Sequence, residues 1–128
     1  MRVLTQFNSE ELIKEYFRAW VTRDFPNVAH FFTHDIYYRE CTGASYCGLD
    51  EINEWIKHML KKQTVLEWDI DSIEKNYSGS FIVTWFFYAK EEKEYSFDGV
   101  SLINFVNGKI SHISEYAANH ELYRPFKR

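Results

Sequence analysis

Residues 97–116 read FDGVSLINFVNGKISHISEY, and this stretch decides the fold class. Apolar and polar residues alternate on both sides of Asn107-Gly108, a dipeptide that strongly indicates a two-residue hairpin turn. Two further alternating segments precede it, at residues 64–77 and 80–90. The second half of the chain therefore predicts a meander of four long strands, of which residues 95–106 and 109–116 are the last two.

Before residue 64 the apolar residues follow the 3.6-residue period of helices. A first helix is predicted from a cap at Asn8 or Ser9 to about Arg23. A short second helix is predicted from Asp24, because the proline that follows is tolerated in a first turn. A third helix begins at Asp50 and carries the clearest apolar stripe in the chain.

Two short strands, residues 35–41 and 45–48, form a predicted hairpin between the second and third helices. Helices followed by a run of strands are typical of an α+β fold in which the helices lie on one face of the sheet. The length of 128 residues favours a single domain over residues 1–128. We therefore predict a curved, mixed but mainly antiparallel sheet with three N-terminal helices packed on it.

The composition excludes several classes of partner. Aromatic residues make up 19% of the chain, which predicts a core or cavity lined by rings. The formal net charge is −4 and basic residues are scattered among acids, so no nucleic acid is expected as partner. No segment has the roughly 18 consecutive apolar residues of a membrane helix, and the first residues lack the apolar run of a signal peptide. We therefore expect a cytoplasmic protein with no membrane partner.

Cys41 and Cys47 flank a predicted turn, so they could oppose each other across a hairpin at a disulfide-compatible distance. In a reducing compartment free thiols are the expected state. A zinc site would also need His34, but two cysteines and a distant histidine have no recognised ligand spacing. Glycine-rich phosphate loops are absent from the sequence as well. The sequence therefore predicts neither a metal nor another cofactor.

The strand predicted around residues 81–88 has apolar side chains on both faces. Alternation points one set, Phe81, Val83, Trp85 and Phe87, to one side and the other set, Ile82, Thr84, Phe86 and Tyr88, to the opposite side. An antiparallel sheet normally has one polar face, so we expect a homodimer in which a second copy covers the outer face. The alternative is a twisted sheet that covers its own back.

Three phrases occur in the order LIKEYFRAWVTRDFPNVAHFFTHDIYYRE, GLDEINEWI and FDGVSLINFVNGKISHISEY. Together they resemble the SnoaL-like branch of the nuclear transport factor 2-like superfamily, which includes ketosteroid isomerases, polyketide cyclases and limonene epoxide hydrolases. The resemblance spans nearly the whole chain and implies a cone-shaped α+β barrel. It does not specify a function, since this fold hosts enzymes, binding modules and transport factors.

The resemblance to ketosteroid isomerases implies roles for individual residues. Tyr16, in EYFRAW, falls on the donor tyrosine of the first helix, and Glu40, in YYRE, falls on the carboxylate base. The late-strand acid of that pattern falls on or beside Ser101. Asp98 is the alternative acid if a bulge intervenes at the neighbouring Gly99.

The cyclase and epoxide hydrolase branches have an acid just after the EY pair of the last strand. Ala117 and Ala118 stand there in this chain, and this departure argues against those two chemistries.

The residues singled out also have structural alternatives. Glu40 could pair with Arg39 at the surface, and Tyr16 could be a core residue with its hydroxyl at the rim. His112 and Glu115 lie three residues apart on the last strand, hence on opposite faces, and cannot form a dyad without a bulge. The side chains expected to wall the cavity are Trp20, Trp55, Phe86, Tyr88 and Ile103.

A carboxylate at the mouth of an apolar cavity has a raised pKa and is a competent general base for a carbon acid. A tyrosine hydroxyl can stabilise the oxyanion that develops. The sequence therefore predicts a protein that binds a small apolar carbonyl compound and catalyses proton transfer, isomerisation or dehydration. The alternative is a non-catalytic ligand-binding or dimerisation module, which the missing late-strand acid favours.

Overall fold

The computed structural model describes residues 2–127, with side chains described from residue 8 onward. Within these residues, two α-helices and six strands follow one another as α1 (Arg2–Thr22), β1 (Phe32–Arg39), β2 (Ser45–Cys47), α2 (Leu49–Lys62), β3 (Thr64–Lys75), β4 (Phe81–Lys90), β5 (Glu94–Val106) and β6 (Lys109–Ala117). The strands form one sheet in the order β2-β1-β6-β5-β4-β3. Neighbouring strands are antiparallel except β1 and β6, which run parallel. The α+β class and the mainly antiparallel mixed sheet are confirmed.

α1 lies along the sheet and contacts β3. Its buried side chains recur at helical spacing, as Ile13, Tyr16, Phe17 and Trp20. The Phe17 ring stacks on Trp68 of β3 with 3.9 Å between ring centroids. The helix begins at Arg2 and not at the predicted cap. Residues 2–7 contain neither glycine nor proline, so no strong helix breaker precedes the polar residues that could have capped the helix.

The predicted second helix is wrong, because only one 3-10 turn, Val28–His30, forms in that segment. The Asn27 side chain caps this turn by accepting a hydrogen bond from the Ala29 backbone N–H. Phe32 then pairs with Ile110 of β6, so β1 begins three residues earlier than predicted. A helix this short gains little from its own hydrogen bonds. The end of its predicted apolar side, at Phe32, joins the sheet instead.

The hairpins of the meander follow the local sequence. Asn107 and Gly108 both have positive φ angles, of 51° and 78°, as a two-residue turn of type I′ requires.

In the β1–β2 hairpin, Cys47 pairs with Tyr37 and not with Cys41, and both cysteines are free.

The two faces of β4 have different surroundings. Phe81, Val83 and Trp85 are buried on the inner face, which the helices cover, whereas Phe86 on the outer face is 36% exposed. Gly99 of β5 lies directly opposite Trp85, and a Cβ atom there would come within 2.2 Å of the indole ring. The glycine therefore marks the close approach of an aromatic side chain from the neighbouring strand.

No helix in the described part of the chain is long and apolar enough to cross a membrane.

Candidate functional site

A cavity of ≈ 340 Å³ opens between the inner face of the sheet and the two helices. All four tryptophans of the chain line it, together with aromatic side chains from β1, β2, β4 and β5. Its polar lining includes three carboxyl groups, those of Glu40, Glu115 and Glu91, the last in the turn between β4 and β5. His58 and Lys62 reach the cavity from α2. Aromatic walls combined with converging polar groups are typical of sites for small molecules.

A buried chain of hydrogen bonds ends at this cavity. The Tyr16 hydroxyl donates to the Tyr38 hydroxyl over 2.7 Å, and Tyr38 donates to Oε2 of Glu115, also over 2.7 Å. Both tyrosines are fully buried and Glu115 is 7% exposed. Tyr38 and Glu115 line the cavity, whereas Tyr16 lies behind them.

Burial sets the protonation state of Glu115. Removal from water disfavours the charged carboxylate and raises its pKa from 4.5 to about 8, and the negative charge of Glu40 adds to the rise. The hydrogen bond from Tyr38 acts in the opposite direction but does not cancel the effect of burial. Glu115 is therefore mostly protonated at neutral pH.

Glu40 has a different environment. It is only partly buried, and its Oε1 accepts a hydrogen bond of 2.5 Å from the Tyr46 hydroxyl. Burial raises the pKa of Glu40, while Tyr46 and the positive charge of Lys62 counteract that rise. Tyr46 is itself held by stacking on Trp55, with 4.8 Å between ring centroids. Glu40 therefore ionises at lower pH than Glu115.

The sheet topology brings the two carboxyl groups together. In the parallel pairing of β1 with β6, Tyr38 lies beside Ile113 and Arg39 beside Ser114. Glu40 and Glu115 are the next residues on the two chains. Alternation then gives Glu115 the same face as the buried Ile113, and both carboxyl groups reach the cavity.

The predicted pair Tyr16 and Glu40 does not meet directly in the cavity. Glu40 lines the cavity, but the Tyr16 hydroxyl reaches it only through Tyr38. Ser101 is fully buried on the inner face, where its hydroxyl accepts a hydrogen bond of 2.9 Å from Nε1 of Trp85. Asp98 is exposed on the outer face, as regular alternation from Ser101 requires.

Of the predicted wall residues, Trp20 and Trp55 line the cavity. Phe86 and Tyr88 are instead on the outer face, and Ile103 is fully buried in the core beside Ile113. Apolar residues occupy both faces of β4, so a period of two could not indicate which set faces inward. The inner set supplies Trp85 and Phe87 to the wall.

Sequence reasoning missed Tyr38 and Glu115 as site residues. Tyr38 is two residues before Glu40, so alternation along β1 was an available signal that both face the same side. For Glu115 the decisive information is the parallel neighbour β1, which local sequence does not reveal. Across residues 2–127, no cluster of three or more histidine, cysteine, aspartate or glutamate side chains could hold a metal ion.

We expect Glu115 to make folding stability depend on pH. Because its pKa is about 8 in the folded protein and ordinary in the unfolded chain, the folded state binds more protons between about pH 4.5 and pH 8. Its contribution to stability is therefore complete at low pH and is lost as the pH rises through that window. Glu115→Gln, which mimics the neutral acid, should be similar to wild type near pH 5 and more stable than wild type above pH 8.

Urea unfolding at a series of pH values measures this difference. The stability advantage of Glu115→Gln should grow by a few kcal/mol between pH 5 and pH 8.5, at about 1.4 kcal/mol per unit of pKa shift. Glu54→Gln, on the exposed side of α2, is the matched control and should follow wild type at every pH. Parallel curves for wild type and Glu115→Gln would contradict the buried neutral acid.

Solved structures from several organisms share this fold. An LEH-like epoxide hydrolase of M. tuberculosis superposes with a TM-score of 0.76 at 13% identity, covering 88% of this chain and 84% of that one. An NTF2-like protein of unknown function from Burkholderia pseudomallei gives 0.72 at 17% identity, over 87% and 91% of the two chains. A protein with a ketosteroid isomerase-like fold from Catenulispora acidiphila, in complex with trimethylamine, gives 0.70 at 15% identity, over 83% and 84%.

At such low identities these similarities establish the fold alone. A comparison with curated proteins finds no match. The SnoaL-like domain family matches residues 13–113, which include α2, the cavity face of β1 and β6 up to two residues before Glu115. The chain belongs to the SnoaL-like domain family.

Proposed function

We propose that the protein catalyses proton transfer next to the carbonyl group of a small, largely apolar compound, as in an isomerisation or dehydration. The observation that carries this proposal is the pair of carboxyl groups at one cavity whose environments separate their pKa values. Burial keeps Glu115 mostly protonated at neutral pH, whereas Glu40 ionises at lower pH. Two such groups are a combination suited to acid–base chemistry.

In this proposal Glu40 is the general base. Its carboxylate removes a proton from the carbon beside the carbonyl, and partial burial makes it a stronger base than an exposed glutamate. Tyr46 fixes the orientation of the carboxylate by hydrogen bonding to Oε1. The negative charge then moves from Glu40 to the carbonyl oxygen of the ligand.

Glu115 stabilises that oxygen. Tyr38 donates to Oε2 of Glu115, so the acid's own proton is carried by Oε1, which makes no hydrogen bond to any residue the structure describes. A neutral carboxylic acid facing an apolar cavity donates strongly to a developing oxyanion. Glu115 thus supplies the late-strand acid that the sequence was expected to lack.

Tyr16 and Ser101 are positioning residues in this proposal. Tyr16 holds the Tyr38 hydroxyl from behind, which orients the donor to Glu115. Ser101 accepts the Trp85 indole N–H and so fixes one wall of the cavity. Asp98 has no part in the reaction, because it lies on the outer face. The cone-shaped barrel implied by the family resemblance would be the frame that encloses the ligand.

Hydrogen–deuterium exchange at the carbon beside a carbonyl tests the proposal without knowledge of the natural substrate. A panel of small cyclic and aromatic ketones, such as 2-tetralone, is incubated in D2O and followed by proton NMR. Wild type should accelerate exchange of at least one compound, and Glu40→Gln should lower the rate by about 10²- to 10⁴-fold. Glu115→Gln should lower the exchange rate less than Glu40→Gln does, because the amide N–H of glutamine can still donate to the oxyanion.

The pH profile of kcat/KM gives a second readout of the same experiment. Activity requires ionised Glu40 and protonated Glu115, so the rate should rise with pH as Glu40 ionises and fall near pH 8 as Glu115 loses its proton. Glu54→Gln should retain the wild-type profile. A ketone that binds without any exchange would contradict the enzymatic proposal and favour a non-catalytic binding module.

The outer face of the sheet supports a homodimer. Phe86, Leu102 and Tyr116 are 36%, 40% and 43% exposed, and they belong to three adjacent strands on the same face. Apolar side chains that are grouped in this way are typical of interfaces. Sedimentation equilibrium at micromolar concentration should give twice the chain mass of 15.4 kDa, and a mass near 15.4 kDa would contradict the dimer.

A further inference from the structure

The segment after β6 has an unusual surface. Residues 118–127 form neither helix nor strand. Leu122, Tyr123 and Phe126 are 89%, 80% and 87% exposed in this segment, far more than the apolar side chains on the outer sheet face. Burial of such large apolar side chains stabilises a protein, so their exposure is costly. We call residues 118–127 the C-terminal arm.

The outer face of the sheet is also partly apolar, like the C-terminal arm. The half-exposed apolar side chains that form it, here called the outer strip, are Ile82, Phe86, Val100, Leu102 and Tyr116. Register places them side by side: Ile82 pairs with Leu102, and Val100 pairs with Tyr116. Neither helix covers this strip, because both pack on the opposite, inner face.

The charges of the two surfaces are complementary. Acidic residues border the outer strip: Asp69 pairs with Phe86 from β3, Asp98 pairs with Phe86 from β5, and Glu74 pairs with Ile82. The C-terminal arm carries two basic residues, Arg124 and Lys127, and one acid, Glu121, all exposed. Arg39 also lies at the strip, 4.9 Å from the centre of the Tyr116 ring, so the two surfaces are complementary in their prevailing charge, which favours a specific orientation of contact.

We propose that the C-terminal arm of one protomer docks on the outer strip of a second copy of the chain. This inference rests on the homodimer proposed above and adds the segment that makes its interface. A twofold axis through the outer faces gives each protomer one arm and one strip, so the contact is reciprocal. Ten extended residues reach at most about 35 Å, more than the roughly 24 Å width of six strands.

The arm begins beside the outer strip of its own protomer. The Ala118 backbone N–H donates to the Asp98 carbonyl over 2.9 Å, which fixes the start of the arm at β5. Beyond this bond its three large apolar side chains make almost no contact within their own protomer. The arm therefore does not fold back on its own sheet, and these side chains stay accessible to a second copy.

Removal of the apolar side chains of the arm tests the proposal. The triple variant Leu122→Ser, Tyr123→Ser, Phe126→Ser should raise the dimer dissociation constant at least about tenfold in sedimentation velocity, the equivalent of a single anchoring side chain. Circular dichroism should remain unchanged, because these side chains are exposed. Tyr77→Ser is the matched control, since Tyr77 is a fully exposed aromatic residue in the β3–β4 turn.

Cross-linking distinguishes a second copy from the same copy. In a background with Cys41→Ser and Cys47→Ser, one chain carries Leu102→Cys and another carries Phe126→Cys. A short bis-maleimide linker should join the two chains when they are mixed. If the cross-link forms only within a single chain that carries both cysteines, the arm docks on its own sheet and the proposal is wrong.

Charge exchange tests the orientation of the contact. Asp69→Lys with Glu74→Lys should weaken the dimer, Arg124→Glu with Lys127→Glu should weaken it similarly, and all four changes in one chain should restore it. A dimer that persists in the triple serine variant contradicts the arm but leaves the homodimer standing. A wild-type chain that is monomeric overturns both, and neither result touches the exchange assay for catalysis.

Discussion

Parallel hydrogen bonding between β1 and β6 places Tyr38 beside Ile113 and Arg39 beside Ser114, and the next residue on each chain is a glutamate. The meeting of the two carboxyl groups at the cavity follows from this pairing. It brings residues that are 75 positions apart to the same end of the sheet, where the helices leave a cavity. It also aligns Tyr38 so that its hydroxyl reaches Glu115.

Unequal burial gives the two glutamates different chemistry. Glu115 is buried near the end of β6, an interior strand of the sheet, and the cost of removing its charge from water outweighs the hydrogen bond from Tyr38. Glu40 lies where β1 has ended, is partly open, and has Tyr46 and Lys62 to stabilise its charge. The difference arises from position in the sheet and not from residue type, as expected when one fold supports both an acid and a base.

The elements with a strong local signal were predictable. α2 has an apolar stripe whose buried members are Ile52, Trp55 and Ile56, and the four long strands are separated by turn residues. Weak local signals failed: the segment around Pro26 could have formed a helix, but pairing of Phe32 with β6 prevailed. Long segments with a regular apolar period therefore predict their secondary structure correctly, whereas the short segment around Pro26 does not.

The site was less predictable because it depends on contacts between distant residues. Glu40 was selected through the family resemblance and does line the cavity, but Tyr16 is one hydrogen bond away from it. The sequence predicts Phe86 and Tyr88 on the inner face, but two apolar faces look alike in sequence, and only the pairing of β4 with its neighbours decides which one is buried. The sequence alone gives Glu115 no role, because nothing in ISHISEY indicates a parallel neighbour.

The proposed chemistry requires a neutral Glu115 at the cavity beside an ionised Glu40. The most direct measurement is a pH titration of the side-chain carboxyl carbons in ¹³C-glutamate-labelled protein, with the Glu115 and Glu40 signals assigned by their loss in Glu115→Gln and Glu40→Gln. We predict that the Glu115 signal titrates with a midpoint near pH 8 and that Glu40 titrates at lower pH. A Glu115 midpoint near the ordinary value of 4.5 would contradict the account.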